Sequence, residues 1–194
     1  MLKEKYLLVF ASLIMLAPLM GQSKEYTRVV AEDSKIEFSG VQNRKTAFTG
    51  HFADFKVDAI FNRDDLENSR IDVVIELASL ESGSEKRDTK LKKGNWFDID
   101  NTPRSYFKSE TIEAVSNDIY EIKGQLEIKG ISKPYSFKLE IRELVDLLRL
   151  SGDFTINRLD FDLGLGAWKN PDWVKHEVNV EFDIAVKSNA QKDT

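Results

Sequence analysis

The sequence predicts an all-β domain of eight antiparallel strands, closed into a barrel or packed as a sandwich of two sheets. Three observations predict this fold class: apolar and polar side chains alternate over most of the chain, polar turn residues separate the alternating segments, and one long stretch lacks the alternation. Successive side chains on a strand point to opposite faces, so each segment has one apolar and one hydrated face. A closed barrel of eight strands is either filled by its side chains or holds one small ligand.

The alternation is regular in five segments and weaker in three. In chain order, the eight predicted strands are 29–39, 48–61, 71–78, 106–114, 120–129, 135–142, 148–156 and 178–187. In the second of these, the apolar parity changes near Ala53 and Asp54, which predicts a β-bulge at that point. The parity also predicts which side chains face the interior. These are Val73, Ile75, Leu126, Ile128, Phe137, Val180 and Phe182.

A long insertion separates the third predicted strand from the fourth. Good helix formers occupy about 84–94, where we predict one short helix with Ser84 as its N-cap. A loop of this length in a compact domain usually carries function or covers a pocket. Trp96 and Phe97 follow the helix and are interpreted either as core anchors or as a lid that lines the mouth of a barrel. On the second interpretation, the segment 87–97 closes one mouth and controls ligand entry.

The N-terminus has the order of a secretory signal peptide. Lys3 and Lys5 precede an uncharged apolar stretch at 6–20, and small residues follow that stretch. A transmembrane helix needs about 20 apolar residues, more than this stretch provides. We therefore predict a signal peptide at 1–23 rather than a membrane anchor.

The predicted signal peptide sets the expected domain boundaries. The barrel domain occupies 24–188, and a polar C-terminal tail occupies 189–194. We expect the mature protein to be periplasmic or secreted and to begin between Gln22 and Glu25. Sequencing the N-terminus of the exported protein checks this expectation, and a mature chain that retains Met1 would contradict it.

Charge balance and cysteine content exclude several classes of function. The formal net charge is −5 and the basic residues are interspersed with acidic ones, which excludes a nucleic-acid-binding protein. Because the chain has no cysteine, a disulfide framework, a thiol nucleophile and thiolate metal ligands are excluded as well. One basic run, at 86–93, is either the hydrated face of a helix or a contact with a head group or membrane surface.

We find no pattern in the sequence that predicts catalysis, a metal or a cofactor. His51 and His176 are the two histidines, neither stands in a ligand-spaced motif, and we expect both at the surface. A Gly-x-Ser-x-Gly elbow and a glycine-rich phosphate loop before a helix are absent from the sequence. Asp160 and Asp162 share a parity, and we interpret them as part of a hydrated face rather than as an acid–base pair.

A series of short motifs runs in order along the chain behind the predicted signal peptide. They are Asp33–Phe38, Thr49–Phe52 with Phe55, Ser79–Gly83, Arg87-Asp88, Leu91, Trp96–Asp98, Pro103, Phe107–Ser109, Gly124–Gly130 and Asn157–Phe161. In this order, they resemble the YceI-like family, whose members are lipocalin-like barrels, typically periplasmic and associated with polyisoprenoid binding. Two family histidines have no counterpart here, since Asp33 replaces one and none occurs near Val41 and Gln42, so their roles are not carried over.

The resemblance implies a lipocalin-like eight-stranded barrel whose apolar lumen binds a polyisoprenoid or another long-chain lipid, without catalysis and without a cofactor. The candidate lumen and mouth residues are Phe38, Phe52, Val73, Ile75, Leu91, Trp96, Phe97, Phe107, Leu126, Ile128, Phe137, Phe161, Val180 and Phe182. Arg87 and Arg158 either pin the insertion to the rim through a carboxylate or contact the head group of the lipid. An enzyme acting on such a lipid and an interaction module with a filled core are the alternatives; transient membrane contact and a homodimer are left open.

Overall fold

A computed structural model describes residues Ser23–Asn189. The strands are β1 (Lys24–Val29), β2 (Lys35–Gln42), β3 (Thr46–Phe52), β4 (Phe55–Phe61), β5 (Arg70–Glu76), β6 (Leu80–Glu81), β7 (Arg104–Ser116), β8 (Ile119–Ile128), β9 (Ile131–Glu143), β10 (Leu147–Asn157) and β11 (Glu177–Ser188), and the α-helix is α1 (Glu85–Leu91). Apart from Ser23 and Asn189, the predicted signal peptide and the predicted tail lie outside the described residues.

The strands form one closed antiparallel barrel. Around the barrel, the order is β1, β4, β5, β7, β8, β9, β10 and β11, and pairing of β11 with β1 closes the ring. β2 continues β1 along the same edge of β11, and β3 continues β4 along the opposite side of that pair. Each of these two pairs therefore takes the place of one long strand in the barrel. The described residues therefore form the eight-stranded antiparallel barrel that the sequence predicts, with the short β6 added beside β3.

The strand pairing is interrupted between β3 and β4, at the position where the change of parity predicts a bulge. Ala53 and Asp54 leave the ladder, and their amides donate hydrogen bonds to the backbone oxygen and to Oγ of Ser79, at 3.2 and 3.0 Å. These bonds satisfy the amides that the interruption would leave unpaired. They also attach the start of the long insertion to the junction between β3 and β4.

The first strand begins at Lys24, earlier than the sequence analysis places it. In its N-terminal half Tyr26 is the buried residue, and a single apolar position gives no alternation. Tyr26 donates a hydrogen bond to Glu143 at 2.9 Å, and burial, followed by this bond, raises the pKa of its phenol. Phe61 and Tyr120, whose ring centroids are 5.4 Å apart, fill the same end of the barrel, which we name the closed end.

α1 and the turns after it lie across the opposite end of the barrel. The helix ends at Leu91, earlier than predicted, and Ser84 occupies its N-cap position without a capping side-chain hydrogen bond. The backbone oxygen of Ser84 accepts hydrogen bonds from the amides of Arg87 and Asp88, both at 2.9 Å. None of the helices between Ser23 and Asn189 is long and apolar enough to cross a membrane.

Gly124 makes a close approach between β8 and β7 possible. A Cβ at this position would lie 2.2 Å from the backbone oxygen of Lys108, next to the bulge that β7 has between Ser109 and Thr111. We expect Gly124→Ala to lower the free energy of unfolding by about 1–3 kcal/mol, because one strand must shift. Chemical denaturation measures the loss. Gly94→Ala is the control, since its Cβ would approach no atom closer than 3.7 Å; equal losses in both variants would contradict the expectation.

Candidate ligand-binding site

The barrel encloses two apolar cavities. The upper cavity, near α1, has a volume of about 110 Å³, and the lower cavity, nearer the closed end, one of about 80 Å³. Both are lined by Ile36, Ile75, Ser105, Leu126, Phe154 and Val180, so they are two parts of one lumen. An engineered apolar cavity of roughly 150 Å³ in another protein stays dry and binds benzene. The lumen is therefore suited in size and lining to an apolar group.

Aromatic rings occupy the middle of the lumen. The ring of Phe137 stacks on that of Phe154, with centroids 4.6 Å apart and planes at 17°. Phe107 and Phe182 lie beside Phe137, with centroid distances of 5.3 and 6.0 Å. Because the free volume is close to that of one benzene-sized group, a long chain reaches the lower cavity only if these rings turn aside. The lumen is thus neither completely filled nor an open tube.

Thirteen of the fourteen candidate lumen and mouth residues line the cavities. The upper cavity is lined by Phe38, Phe52, Leu91, Trp96, Phe97 and Ile128, the lower by Val73, Phe107, Phe137 and Phe182, and both by Ile75, Leu126 and Val180. The inward direction predicted from parity for seven side chains is therefore confirmed. Phe161 lines neither cavity. It is fully buried, and the centroid of its ring lies 5.9 Å from that of the Tyr135 ring.

Several lining residues are missing from the predicted set. Ile36 and Phe154 share the inward parity of their strands, so the alternation could have identified them. Val174 lies in the irregular segment before β11, where no period exists to be recognised. Ser105, at the start of β7, gives no sequence signal, because a serine there is typical of a hydrated face.

The segment that follows α1 covers the upper cavity. Leu91 and Trp96 are buried, at 8% and 7% exposure, and both line this cavity. The amide of Phe97 donates to the backbone oxygen of Leu91 at 2.9 Å, and the oxygen of Asn95 accepts from the amide of Gly164 at 2.7 Å. Trp96 therefore packs into the core and also covers the upper cavity, and control of ligand entry by the segment 87–97 stays a prediction.

A second, more polar pocket lies outside this cover, and we name it the vestibule. Its volume is about 430 Å³, and Phe48, Leu91, Trp96 and Val174 separate it from the upper cavity by lining both. The rest of its wall is basic and aromatic, and consists mainly of Lys86, Arg87, Lys90, Trp168 and Trp173. Nζ of Lys90 lies 4.4 Å from the ring centroid of Trp168, a cation–π contact.

The structure gives Arg158 neither of the two roles that the sequence analysis considered, a pair with a carboxylate or a contact with the head group. Its side chain is buried, with 1% exposure, and its guanidinium donates five hydrogen bonds of 2.5–3.2 Å to backbone oxygens. The acceptors are Leu163, Gly164, Trp168, Val174 and Lys175. A guanidinium has five N–H donors, so none remains for a head group.

Arg158 therefore stabilises the irregular segment between β10 and β11, and backbone carbonyls replace the predicted carboxylate partner. Burial lowers its pKa from the ordinary value. Its partner in the predicted pair, Asp160, is exposed.

Arg87 lies at the wall of the vestibule. Its guanidinium carbon is 5.3 Å from the centroid of the Phe48 ring, and Asp88, beside it, accepts a hydrogen bond from Oγ of Ser82. The sequence-based pairing of Arg87 with a carboxylate is thus replaced by a contact with an aromatic ring. The basic side chain remains at the edge of the vestibule, where contact with a head group stays a prediction.

The two histidines lie apart from the lumen. His51 is exposed, with Nε2 3.7 Å from a carboxylate oxygen of Glu81, and Nε2 of His176 is 2.8 Å from the backbone oxygen of Lys169. Within the described part of the chain, no group of three or more histidine, aspartate or glutamate side chains is placed to hold a metal ion.

Comparison with known proteins identifies a family model that matches almost the whole barrel and relatives that match parts of the chain. A family model described as "YceI-like domain" matches residues 28–186. A UPF0312 protein of Vibrio parahaemolyticus is 25% identical over 130 residues, which are 66% of this chain and 69% of that protein. A UPF0312 protein of Azotobacter vinelandii is 27% identical over 85 residues, 44% of each chain, so this alignment spans less than half of that relative.

Two solved structures share the fold. Burkholderia cenocepacia BcnA superposes with a TM-score of 0.77 at 23% identity, covering 81% of this chain and 98% of that one. A polyisoprenoid binding domain from Saccharophagus degradans, implicated in plant cell wall breakdown, superposes with a TM-score of 0.69 at 15% identity, covering 86% and 100%. At these identities, the likeness shows a common barrel.

Proposed function

This chain belongs to the YceI-like domain family, and from that premise we propose that it holds one polyisoprenoid or a similar long-chain amphiphile in its lumen. The observation that carries the proposal is the apolar lumen with its two cavities, which is covered at one end by Leu91 and Trp96 and adjoins a basic vestibule. A structural neighbour described as a polyisoprenoid binding domain supports this class of ligand. The protein binds the lipid and does not transform it.

Affinity for such a ligand comes mainly from apolar burial. Removing apolar surface from water contributes about 25 cal/mol per Å², so a chain needs few polar contacts once it is inside. Part of this gain offsets the cost of turning Phe137 and Phe154 away from their stacked arrangement. The rings then line a longer channel towards the closed end, and the polar end of the ligand stays near the vestibule.

The basic vestibule suits exchange of lipid with an anionic membrane. We propose that the protein works in the periplasm or as a secreted protein, on the basis of the N-terminal sequence, and contacts a bilayer transiently through this face. Lys86 and Lys90 are exposed there, and a basic side chain near an anionic surface contributes about 1 kcal/mol of attraction. Association of two copies is compatible with this proposal and is not required by it.

Titration with a defined lipid tests the proposed function. The purified protein is stripped of lipid and titrated with a prenyl alcohol that carries a fluorophore, and Trp96 and Trp168 serve as quenching reporters near the mouth. We expect saturable binding with one lipid per chain. Failure of the prenyl alcohol and of a straight-chain fatty alcohol to bind below their solubility limits would overturn the proposal.

Reversing two charges of the vestibule is expected to slow lipid uptake from membranes. The variant Lys86→Glu with Lys90→Glu should take up the labelled lipid from anionic vesicles at least about 10-fold more slowly at low salt, because attraction becomes repulsion. Stopped-flow transfer measures the rate. The control pair, Lys138→Glu with Lys187→Glu, changes exposed lysines on β9 and β11 away from the vestibule. Equal slowing by both pairs would show that net charge alone matters.

A further inference from the structure

One strand edge of the barrel is open beside α1. β3 pairs with β2 along one side, but on its other side β6 pairs with His51 and Phe52 alone. After β6 the chain turns away from β3 at Gly83, which has a φ of +71°, and enters α1. In the described part of the chain, the residues 46–50 therefore have no neighbouring strand on this side. We name this side of 46–50 the β3 edge.

The backbone groups of Ala47 and Thr49 point out of the β3 edge. Along an antiparallel pair, opposite residues alternate between hydrogen-bonded and non-bonded pairs. Val41 lies opposite Ala47, and its oxygen accepts a hydrogen bond from the amide of Lys175, at 2.8 Å, on the side of β2 away from β3. The N–H and C=O groups of Ala47 and Thr49 therefore face away from β2. They bond to no other residue between Ser23 and Asn189, and both residues are exposed.

The β3 edge lacks the features that keep strand edges from pairing. Edges of natural sheets are usually covered, bulged, or provided with prolines and charged side chains. The residues 46–50 are Thr, Ala, Phe, Thr and Gly, and their pairing with β2 is regular. Such an edge can accept an extended segment of another chain, whose own N–H and C=O groups complete the ladder.

The charge beside the β3 edge is positive. Lys45 directly precedes β3, and Lys86 and Arg87 project from α1 into the wall of the vestibule. Within the described residues, none of these three side chains forms an ion pair. The nearby acidic side chains, Glu81 and Glu85, line a different pocket. The charge that complements this edge is therefore negative.

We propose that the β3 edge binds an extended acidic segment of a partner protein, which adds as a strand at Ala47 and Thr49. The segment continues the position of β6 and, like β6, runs antiparallel to β3. Its C-terminal end then lies beside Lys45, and this end carries the acidic side chains. Backbone hydrogen bonds provide the affinity and side chains select the partner. The inference goes beyond the proposed function, because it concerns a protein partner and needs no lipid in the lumen.

Amide exchange with a defined peptide tests the inference. The probe is a blocked peptide of alternating threonine and valine that ends in two glutamates, and NMR follows each amide of the lipid-free protein. We expect the amides of Ala47 and Thr49 to exchange rapidly without peptide and at least about 10-fold more slowly near saturation. The amides of Phe48 and Gly50 face β2 and should be protected throughout. The same peptide ending in lysines should bind at least about fivefold more weakly, as expected for losing an exposed ion pair.

Matched changes in the peptide and the protein separate backbone pairing from side-chain contact. Methylating a peptide nitrogen that faces β3 should weaken binding at least about 10-fold, whereas methylating the next nitrogen along should change it less than about threefold. Thr49→Pro removes the free N–H and should weaken binding at least about 10-fold, while Thr49→Val keeps the backbone and should bind like the wild-type protein. If Thr49→Pro does not fold, the methylated peptides still decide.

Several results would overturn the inference. They are unchanged exchange of Ala47 and Thr49 with peptide, equal binding of the glutamate and lysine peptides, and equal weakening by both methylations. Exchange at these two amides that slows with protein concentration in the absence of peptide would show pairing with a second copy instead. None of these measurements involves lipid, so their failure leaves the proposed function standing.

Discussion

Replacing Arg158 by methionine is expected to lower the free energy of unfolding by at least about 3 kcal/mol. The substitution leaves buried carbonyl oxygens from Leu163 to Lys175 without their donor, and each unpaired buried acceptor costs about 1–3 kcal/mol. The free energy of unfolding of Arg158→Lys should lie between those of the wild-type protein and of Arg158→Met. An ammonium keeps the charge but has three donors where the guanidinium has five. Chemical denaturation of the lipid-free protein measures these differences.

The control for Arg158 is an arginine on the outer face of the barrel. Arg142 pairs with Glu140 at 2.7 Å and its side chain is 59% exposed, so Arg142→Met should change stability by no more than about 1 kcal/mol. A loss below about 1 kcal/mol in Arg158→Met would contradict the account of the segment between β10 and β11. If Arg158→Met does not fold, the intermediate stability of Arg158→Lys still tests the same claim.

Filling the junction of the two cavities is expected to abolish binding of a long-chain lipid. Ile75 lines both cavities, and a tryptophan there occupies the space through which the chain passes. We expect Ile75→Trp to weaken binding of the prenyl alcohol by at least about 100-fold, because most of the buried apolar area of the ligand is lost. Fluorescence titration gives the affinity, and the melting temperature shows whether the barrel remains folded.

The neighbouring residue provides a matched control for this substitution. Val74 follows Val73 and precedes Ile75 on β5, has the opposite parity and lines neither cavity. Val74→Trp should therefore bind the lipid within about threefold of the wild-type protein, since its side chain points to the hydrated face. Ile75→Phe adds less volume, so it tests the same site with less overpacking, which costs about 1–3 kcal/mol. Equal weakening in Val74→Trp and Ile75→Trp would argue against a lumenal site.

The strands could be predicted from the sequence because alternation is a local signal, whereas their closure into a barrel was implied by the resemblance to the YceI-like family. Strand parity alone predicts that side chains such as Leu126 and Phe182 face the interior. The interruption at Ala53 and Asp54 is also visible in the sequence as a change of parity. The N-terminal half of β1 escaped detection because Tyr26 is its one buried position. A period needs at least two apolar positions to be recognised.

The candidate site was harder to predict because its polar features depend on contacts between distant segments. Arg158 receives its acceptors from residues up to 17 positions away in an irregular segment, and no spacing rule encodes that arrangement. Ser105 is recognisable as a lumen residue only after the register of β7 against β5 is known. The sequence could therefore identify an apolar interior, but not the hydrogen bonds of Arg158 beside it.

Native mass spectrometry of the protein purified from its own host tests the central claim most directly. We predict that the wild-type protein carries one long-chain lipid per chain, that organic extraction removes it, and that Ile75→Trp lacks it while Val74→Trp retains it. The mass and fragmentation of the extracted lipid then report its head group and chain length. A wild-type protein that has the mass of the bare chain and takes up no prenyl lipid when incubated with it would contradict the claim.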